Sequence, residues 1–451
     1  MKGLYHIETF GCQMNIHESE KLAGVLEKLD YKSTEEIKDA DVVVFNTCCI
    51  REAAELKAFG NIGAMKGLKK KNPNLIIAVC GCMTQQEHKA KELKRTFPFV
   101  DIIFGTHNVY KFEEYIIERQ KENKKIFEIW GKDKESVLPE EVESVRTSGY
   151  NAWVNIMYGC NNFCSYCIVP YVRGRERSRD FDEIVNECKS LIESGYKTIT
   201  LLGQNVNSYG NDFNDETKNF ANLLNTIANL DGEFELHFMT SHPKDLTSEV
   251  IDVIASNEKI SKAIHLPVQS GSTRILKLMN RKYTREHYLD LVNEIYSKIP
   301  NAKLSTDIIV GFPTETEQDY EDTVDLVKKV KYNSIFAFMY SKRSGTVAEK
   351  MDDQVPMEIK NFRVNNLLKI QKEISSKELK NCIGNEEKVL LIENVKNGVL
   401  SKTDSGRTII ITNIKLDDNA LKNKIGLSTE MRFVKIKITK LENNQLFGEI
   451  I

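Results

Sequence analysis

No stretch of the 451 residues approaches the roughly 20 consecutive apolar positions that a membrane-spanning helix needs. The opening residues, Met1-Lys2-Gly3-Leu4-Tyr5-His6, carry no apolar core of a secretory signal. A membrane partner is therefore not expected, and a cytoplasmic location is. A strong charge bias is lacking too: 63 basic and 65 acidic residues leave a formal net charge of −2. Without a global basic field, any contact with nucleic acid has to come from a local patch. No second Cys-x-x-Cys knuckle follows Cys164-Ser165-Tyr166-Cys167 at zinc-ribbon spacing, which argues against a structural zinc site. Disulfides are disfavoured as well, because thiols stay reduced in the cytoplasm.

Cysteine is present in a pattern. Of ten cysteines, three fall within eight residues, Cys160-Asn161-Asn162-Phe163-Cys164-Ser165-Tyr166-Cys167. Three thiolates on one short loop can hold one face of a metal or iron–sulfur site. A four-iron cluster held by three cysteines keeps one iron without a protein ligand, and an open coordination position marks a site for chemistry rather than a staple, as it does for zinc.

The fold class read from the alternation of elements is α/β. Residues 1–130 alternate apolar runs at 4–10, 42–46, 75–80 and 100–105 with helical patterns near 19–29, 53–70 and 85–95, predicting a parallel sheet with crossover helices. Cys12, Cys48 and Cys82 follow the first three of these strands. In a parallel sheet the carboxyl ends share one edge, so three cysteines distant in sequence should converge there as a second iron–sulfur site. Cys49 and Cys80 are left out as ligands; Cys80 should end a buried strand as a small apolar residue. Residues 131–148 are charged and weakly apolar, and read as a linker.

From 149 to 380 six strand–helix units are expected, strands near 153–158, 198–203, 235–240, 263–268, 304–310 and 334–340, then a helical connection. Six units make a partial (β/α)6 barrel, with the three-cysteine loop after its first strand, on the carboxyl-terminal face. Polar residues near the strand ends point at the same mouth: Gln204, Asn205, Ser241, His242, His265, Gln269 and Asp307. After the cysteine loop, Tyr171, Arg173 and Arg175 lie in an arginine-rich stretch able to grip phosphate and stack on a base. Residues 381–451 carry five short strands rich in Val, Ile and Thr, predicting a small OB-like β-barrel, with Lys435, Lys437 and Lys440 along one rim.

Cys160-x-x-x-Cys164-x-x-Cys167 resembles the signature of radical S-adenosylmethionine (SAM) enzymes. That resemblance implies a [4Fe–4S] cluster on these cysteines and SAM contacts from Gln204, Asn205, Ser241, Gln269 and Asp307. The order of the three regions resembles the methylthiotransferase family over essentially the whole chain. It implies that Cys12, Cys48 and Cys82 hold an auxiliary [4Fe–4S] cluster and that the small barrel is an RNA-binding TRAM domain. Where the family more often has serine, this chain has Cys49. Thr9-Phe10-Gly11-Cys12-Gln13-Met14-Asn15, Asn46-Thr47-Cys48 with Ile50-Arg51-Glu52, and Val169-Pro170-Tyr171 with Arg173-Gly174 are most similar to the branch that methylthiolates C2 of N6-dimethylallyladenosine beside the tRNA anticodon. The other branches act on threonylcarbamoyladenosine or on a ribosomal-protein aspartate. The resemblance further implies an electron donor protein such as flavodoxin or ferredoxin, and a monomer.

Overall fold

Apolar β-branched runs, with Val42-Val43-Val44-Phe45 at their centre, build a six-stranded sheet that is parallel throughout. The computed structural model describes residues 2–49, 52–129, 144–146, 148–417 and 431–451. These fall into two compact units. The first comprises residues 1–147 together with 158–161 and 168–176; the second comprises 148–157, 162–167 and 177–451.

In the first unit the strands are β1 (Gly3–Thr9), β2 (Tyr31–Ser33), β3 (Val42–Thr47), β4 (Ile76–Gly81), β5 (Ile102–Phe104) and β6 (Ile126–Glu128). Their order is β2-β1-β3-β4-β5-β6. The helices are α1 (Gln13–Lys28), α2 (Glu52–Lys71), α3 (Glu87–Thr96) and α4 (Phe112–Glu122). Successive side chains of β3 go to opposite faces. Val42 and Val44 join Leu22, Leu26 and Phe112 on one face, while Val43 and Phe45 join Ile62 and Met65 on the other. Both faces are covered, which is why these strands read as continuous apolar runs. The linker expected over 131–148 lies mostly outside the described residues.

The second unit contains six parallel strands, β7 (Asn151–Asn155), β10 (Thr198–Leu202), β11 (Glu235–Phe238), β12 (Ala263–His265), β13 (Lys303–Val310) and β14 (Ser334–Met339). Two-residue strands β8 (Met157–Tyr158) and β9 (Arg177–Ser178) and the short helix α5 (Val169–Arg173) lie between the first two in sequence. The six strands form two three-stranded sheets, β11-β10-β7 and β12-β13-β14, joined through a bridge between Leu236 and Ile260. Crossover helices α6 (Phe181–Glu193), α7 (Phe220–Ala228), α8 (Ser248–Ser256), α9 (Thr273–Leu278), α10 (Arg285–Lys298) and α11 (Glu317–Val330) pack on the outside. Each begins on a side-chain cap: Asp180, Asn219, Thr247, Ser272, Thr284 and Thr316. Such caps contribute about 1 kcal/mol each and fix where every βα loop ends. This is the partial barrel expected from the sequence. β7 and β14 are its edge strands.

Helix α12 (Met357–Asn381) packs against β13 and β14 and leads to a closed five-stranded barrel in the order β15-β16-β17-β19-β18. Its strands are β15 (Glu386–Val395), β16 (Gly398–Thr403), β17 (Thr408–Ile411), β18 (Phe433–Glu442) and β19 (Gln445–Ile450). Asn443 and Asn444, both at positive φ, turn β18 into β19, as a two-residue hairpin requires. The small barrel is tied to the start of β12, where Ser261 Oγ donates to Asp404 O at 2.7 Å. No helix of the described residues is long and apolar enough to cross a membrane.

Candidate active site

In the first unit the register sets Thr9 beside Asn46 and Asn46 beside Cys80, so the loops carrying Cys12, Cys48 and Cys82 leave adjacent strands at one edge. Two glycines allow the approach. Gly11 has φ +114 and a Cβ there would stand 2.6 Å from Cys48 Cβ; Gly81 has φ +98 and a Cβ would stand 2.3 Å from Thr47 O. Cys12 caps α1, and the buried Asn15 one turn later locks the loops by donating to Phe10 O at 2.8 Å and Thr47 O at 3.1 Å.

Arg173, at the end of α5, belongs to the same unit and is only 5% exposed. Its guanidinium takes both carboxylate oxygens of buried Glu18, Asn15 Oδ1 at 3.0 Å and Cys82 Sγ at 3.2 Å. The Cys82 thiol is held down to about 7, first by the hydrogen bond from Cys49 and then by the Arg173 charge, with burial opposing both. Burial pushes Cys12 upward while Arg173 partly offsets it. Cys49 is the thiol paired with Cys82, and its own ionisation is pushed well up. Cys48 packs with Phe10 and Phe45, and Cys80 packs on the opposite face with Leu22 and Leu26.

The cysteine motif is divided between the units. Cys160, in the first, donates its backbone N–H to Gly174 O at 3.1 Å. Cys164 and Cys167, in the second, sit in a loop pinned to the end of α9: Asn280 Nδ2 donates to Phe163 O at 2.9 Å, and Ser165 Oγ donates to Leu278 O at 2.8 Å. Buried Arg281 reaches Cys164 Sγ at 3.4 Å, donates to Pro267 O and Tyr283 Oη, and lies 5.1 Å over the Tyr283 ring. Each unit therefore brings a buried guanidinium against a cysteine thiol.

Among the described residues, no group of three or more His, Cys, Asp or Glu converges as a ligand set for a single ion. A cluster puts its three thiolates on three different irons and so holds them further apart. Soft thiolate donors beside fixed positive charge suit iron–sulfur chemistry better than a hard cation.

At the carboxyl ends of β10 and β11 several buried polar atoms have no hydrogen-bond partner among the described residues: Asn205 Oδ1, Asn207 Nδ2, Ser241 Oγ and His242 Nε2. Lys244 N donates to His242 Nδ1, and burial drives the imidazole down to about 2. His242 is thus neutral with its proton on Nε2, a donor with no partner among the described residues. Gln269 is held at φ +72 and bridges to Ile308. Asp307 lies within β13 rather than at its end, with Oδ2 3.6 Å from His265 Nε2. Gln204 is half-buried after β10.

Sequence reasoning grouped Arg173 with Tyr171 and Arg175 as RNA contacts. Tyr171 and Arg175 are exposed, whereas Arg173 is buried against Glu18 and Cys82. Glu18, Asn15, Asn207 and Arg281 were missed. Only the buried polar face of α1 could have signalled the first two, and it carries no apolar period.

Residues 154–327 match the Radical SAM superfamily and residues 4–105 match Uncharacterized protein family UPF0004. Among solved structures, the radical S-adenosylmethionine methyltransferase TsrM from Kitasatospora setae, with cobalamin and [4Fe-4S] cluster bound, is similar in fold. Its TM-score is 0.55 at 13% identity, covering 77% of this chain and 74% of that one. The tRNA-2-methylthio-N(6)-dimethylallyladenosine synthase of Clostridium tetani (strain Massachusetts / E88) is 51% identical over 99% of this chain and 96% of its own length. That of Clostridium botulinum (strain Langeland / NCTC 10281 / Type F) is 52% identical over 100% and 97%. The chain belongs to the tRNA-2-methylthio-N(6)-dimethylallyladenosine synthase family.

Proposed function

We propose that this chain adds a methylthio group to C2 of N6-dimethylallyladenosine beside the anticodon of tRNA. The observation that carries the reading is its identity of 51–52%, over 99–100% of its length, to synthases named for that product. Cys160, Cys164 and Cys167 would hold one [4Fe–4S] cluster, and Cys12, Cys48 and Cys82 a second. Gln204, Asn205, Ser241, Gln269 and Asp307 would hold SAM, and the unsatisfied Asn207 Nδ2 and His242 Nε2 add an amide and an imidazole donor to that set. When bound, these groups supply a carbon-centred radical and a sulfur carrying a methyl group.

The residues of the chain do the rest. Carbon 2 of adenine bears no acidic proton, so no side chain here can act on it as a base. Arg281 keeps positive charge beside Cys164 and Arg173 beside Cys82, each in a buried site where such charge is little screened. The crossover helices cover the outer face of the partial barrel. Tyr171, Arg175 and the barrel lysines Lys435, Lys437 and Lys440 are exposed where RNA could be gripped. A monomer in the cytoplasm, reduced by a flavodoxin or ferredoxin, completes the reading.

The test is nucleoside mass spectrometry of tRNA carrying dimethylallyladenosine, after anaerobic incubation with cluster-reconstituted protein, SAM and a reductant. The 2-methylthio product is expected. Formation of 5′-deoxyadenosine with unchanged tRNA would move the substrate to threonylcarbamoyladenosine or a ribosomal-protein aspartate. If neither product forms, the cluster assignments are overturned.

A further inference from the structure

The inner face of β12–β14 carries an aromatic ring that the packing of the fold does not use. Along β13, Leu304, Ile308 and Val310 pack outward against the helices, so Ser305, Asp307 and Ile309 face the interior of the partial barrel. The register sets Asp307 beside Phe336, Ser305 beside His265 and Ser334, and Ile309 beside Phe338. His265 Nδ1 lies 3.0 Å from Ser305 Oγ, and its ring stands edge-on to Phe336 with centroids 5.9 Å apart. Its other nitrogen faces Asp307 at 3.6 Å. Phe336 is nevertheless 48% exposed, while its neighbour Ile335 is 7%. A half-open phenyl ring on the inner side of an edge strand forgoes burial that the fold could otherwise use. One pleat further toward the mouth, Ile309 and Phe338 continue the apolar strip.

We propose that Phe336 is the platform on which the acceptor purine of the tRNA stacks, with His265 at the ring's polar edge and Ile309 and Phe338 beside its N6 substituent. This rests on the function proposed above. A flat ring offered to solvent next to paired polar groups is how proteins take an unstacked base. The apolar neighbours fit a dimethylallyl group and offer nothing to the carboxylate of a threonylcarbamoyl group. SAM also contains a purine and takes Gln269 and Asp307 from this side, but the unsatisfied amide, hydroxyl and imidazole atoms suited to its amino-acid and ribose ends lie in the other sheet, after β10 and β11.

The test uses an anticodon stem-loop with 2-aminopurine at the acceptor position, added to the full-length chain without cofactors. Stacking on Phe336 should quench its fluorescence. Phe336→Ala should abolish the quench and, in the reconstituted enzyme, raise KM for tRNA roughly tenfold, the scale of one lost base stack. The KM for SAM, read from 5′-deoxyadenosine formed without RNA, should not move. Phe336→Tyr keeps the ring and should restore both readouts, which a merely structural role would not predict. An unchanged quench and KM in Phe336→Ala would overturn the proposal. A rise in KM for SAM in place of tRNA would also overturn it, by giving the platform to the cofactor. Absence of methylthio product with the unmodified chain would instead refute the function, whatever the variants do.

Discussion

Removing the cation at position 173 should loosen the first unit before it affects any chemistry. Glu18 is 4% exposed and Arg173 5%, and the two are joined by a bidentate pair. Arg173→Ala leaves the Glu18 carboxylate buried without that partner, a loss on the order of 3–5 kcal/mol for a broken buried pair. The contacts to Asn15 Oδ1 and Cys82 Sγ go with it and are included in that figure rather than added. Native-state hydrogen exchange of the cofactor-free chain, read in peptides from α1, reports the free energy of local opening directly. The α1 amides should open more easily by that amount. The double variant Arg173→Met with Glu18→Gln removes both charges and should recover most of the loss, because a matched neutral pair carries no buried orphan charge. A change under about 1 kcal/mol, or a double variant as unstable as the single one, would refute the reasoning.

Two further outcomes are expected. Burial holds His17 down to about 4 from its usual 6.5, against the hydrogen bond with Glu20. Its folded value lies below its unfolded one, so its contribution is complete above pH 6.5 and is lost as pH falls toward 4, about 3 kcal/mol at 1.36 kcal/mol per unit. His17→Asn should flatten the stability profile between pH 6.5 and 4 in denaturation measurements; an unaltered slope would exclude this role. Cys48→Ala should halve the iron bound after reconstitution and stop methylthiolation while 5′-deoxyadenosine still forms, whereas Cys49→Ala should keep all the iron. The reverse pattern would pass the ligand role to Cys49, the thiol paired with Cys82.

The strand–helix rhythm was legible because buried parallel strands are apolar on both faces, as β3 and β4 are. The beginning of α1 was not. Its first turns carry Asn15, His17, Glu18, Glu20 and Lys21, all buried, so the period that announces a helix is masked by polar residues with polar partners. The sequence reading consequently started that helix at 19 rather than 13. Strands β2 and β6, three residues each, are too short to show alternation. The cysteines could be found because sulfur is rare and their spacing is local. Glu18 could not, and Arg173 was singled out without its partner, since the two meet across 155 positions. Asp307 was grouped with the polar residues near the strand ends; it lies within β13 and faces the interior, where an acidic residue inside a strand finds solvent and His265.

The return of residues 168–176 to the first unit orders events during synthesis. That unit is encoded mostly before residue 147, yet it lacks the partner of Glu18 until Arg173 has been made. At about 5–20 residues per second, the 155 positions between them take roughly 8–30 s to translate. For that interval α1 carries a carboxylate whose partner has yet to leave the ribosome, and a nascent chain stalled near residue 150 holds a half-finished sheet edge. A gene cut at the charged segment after residue 130 would leave the amino-terminal fragment in that state permanently.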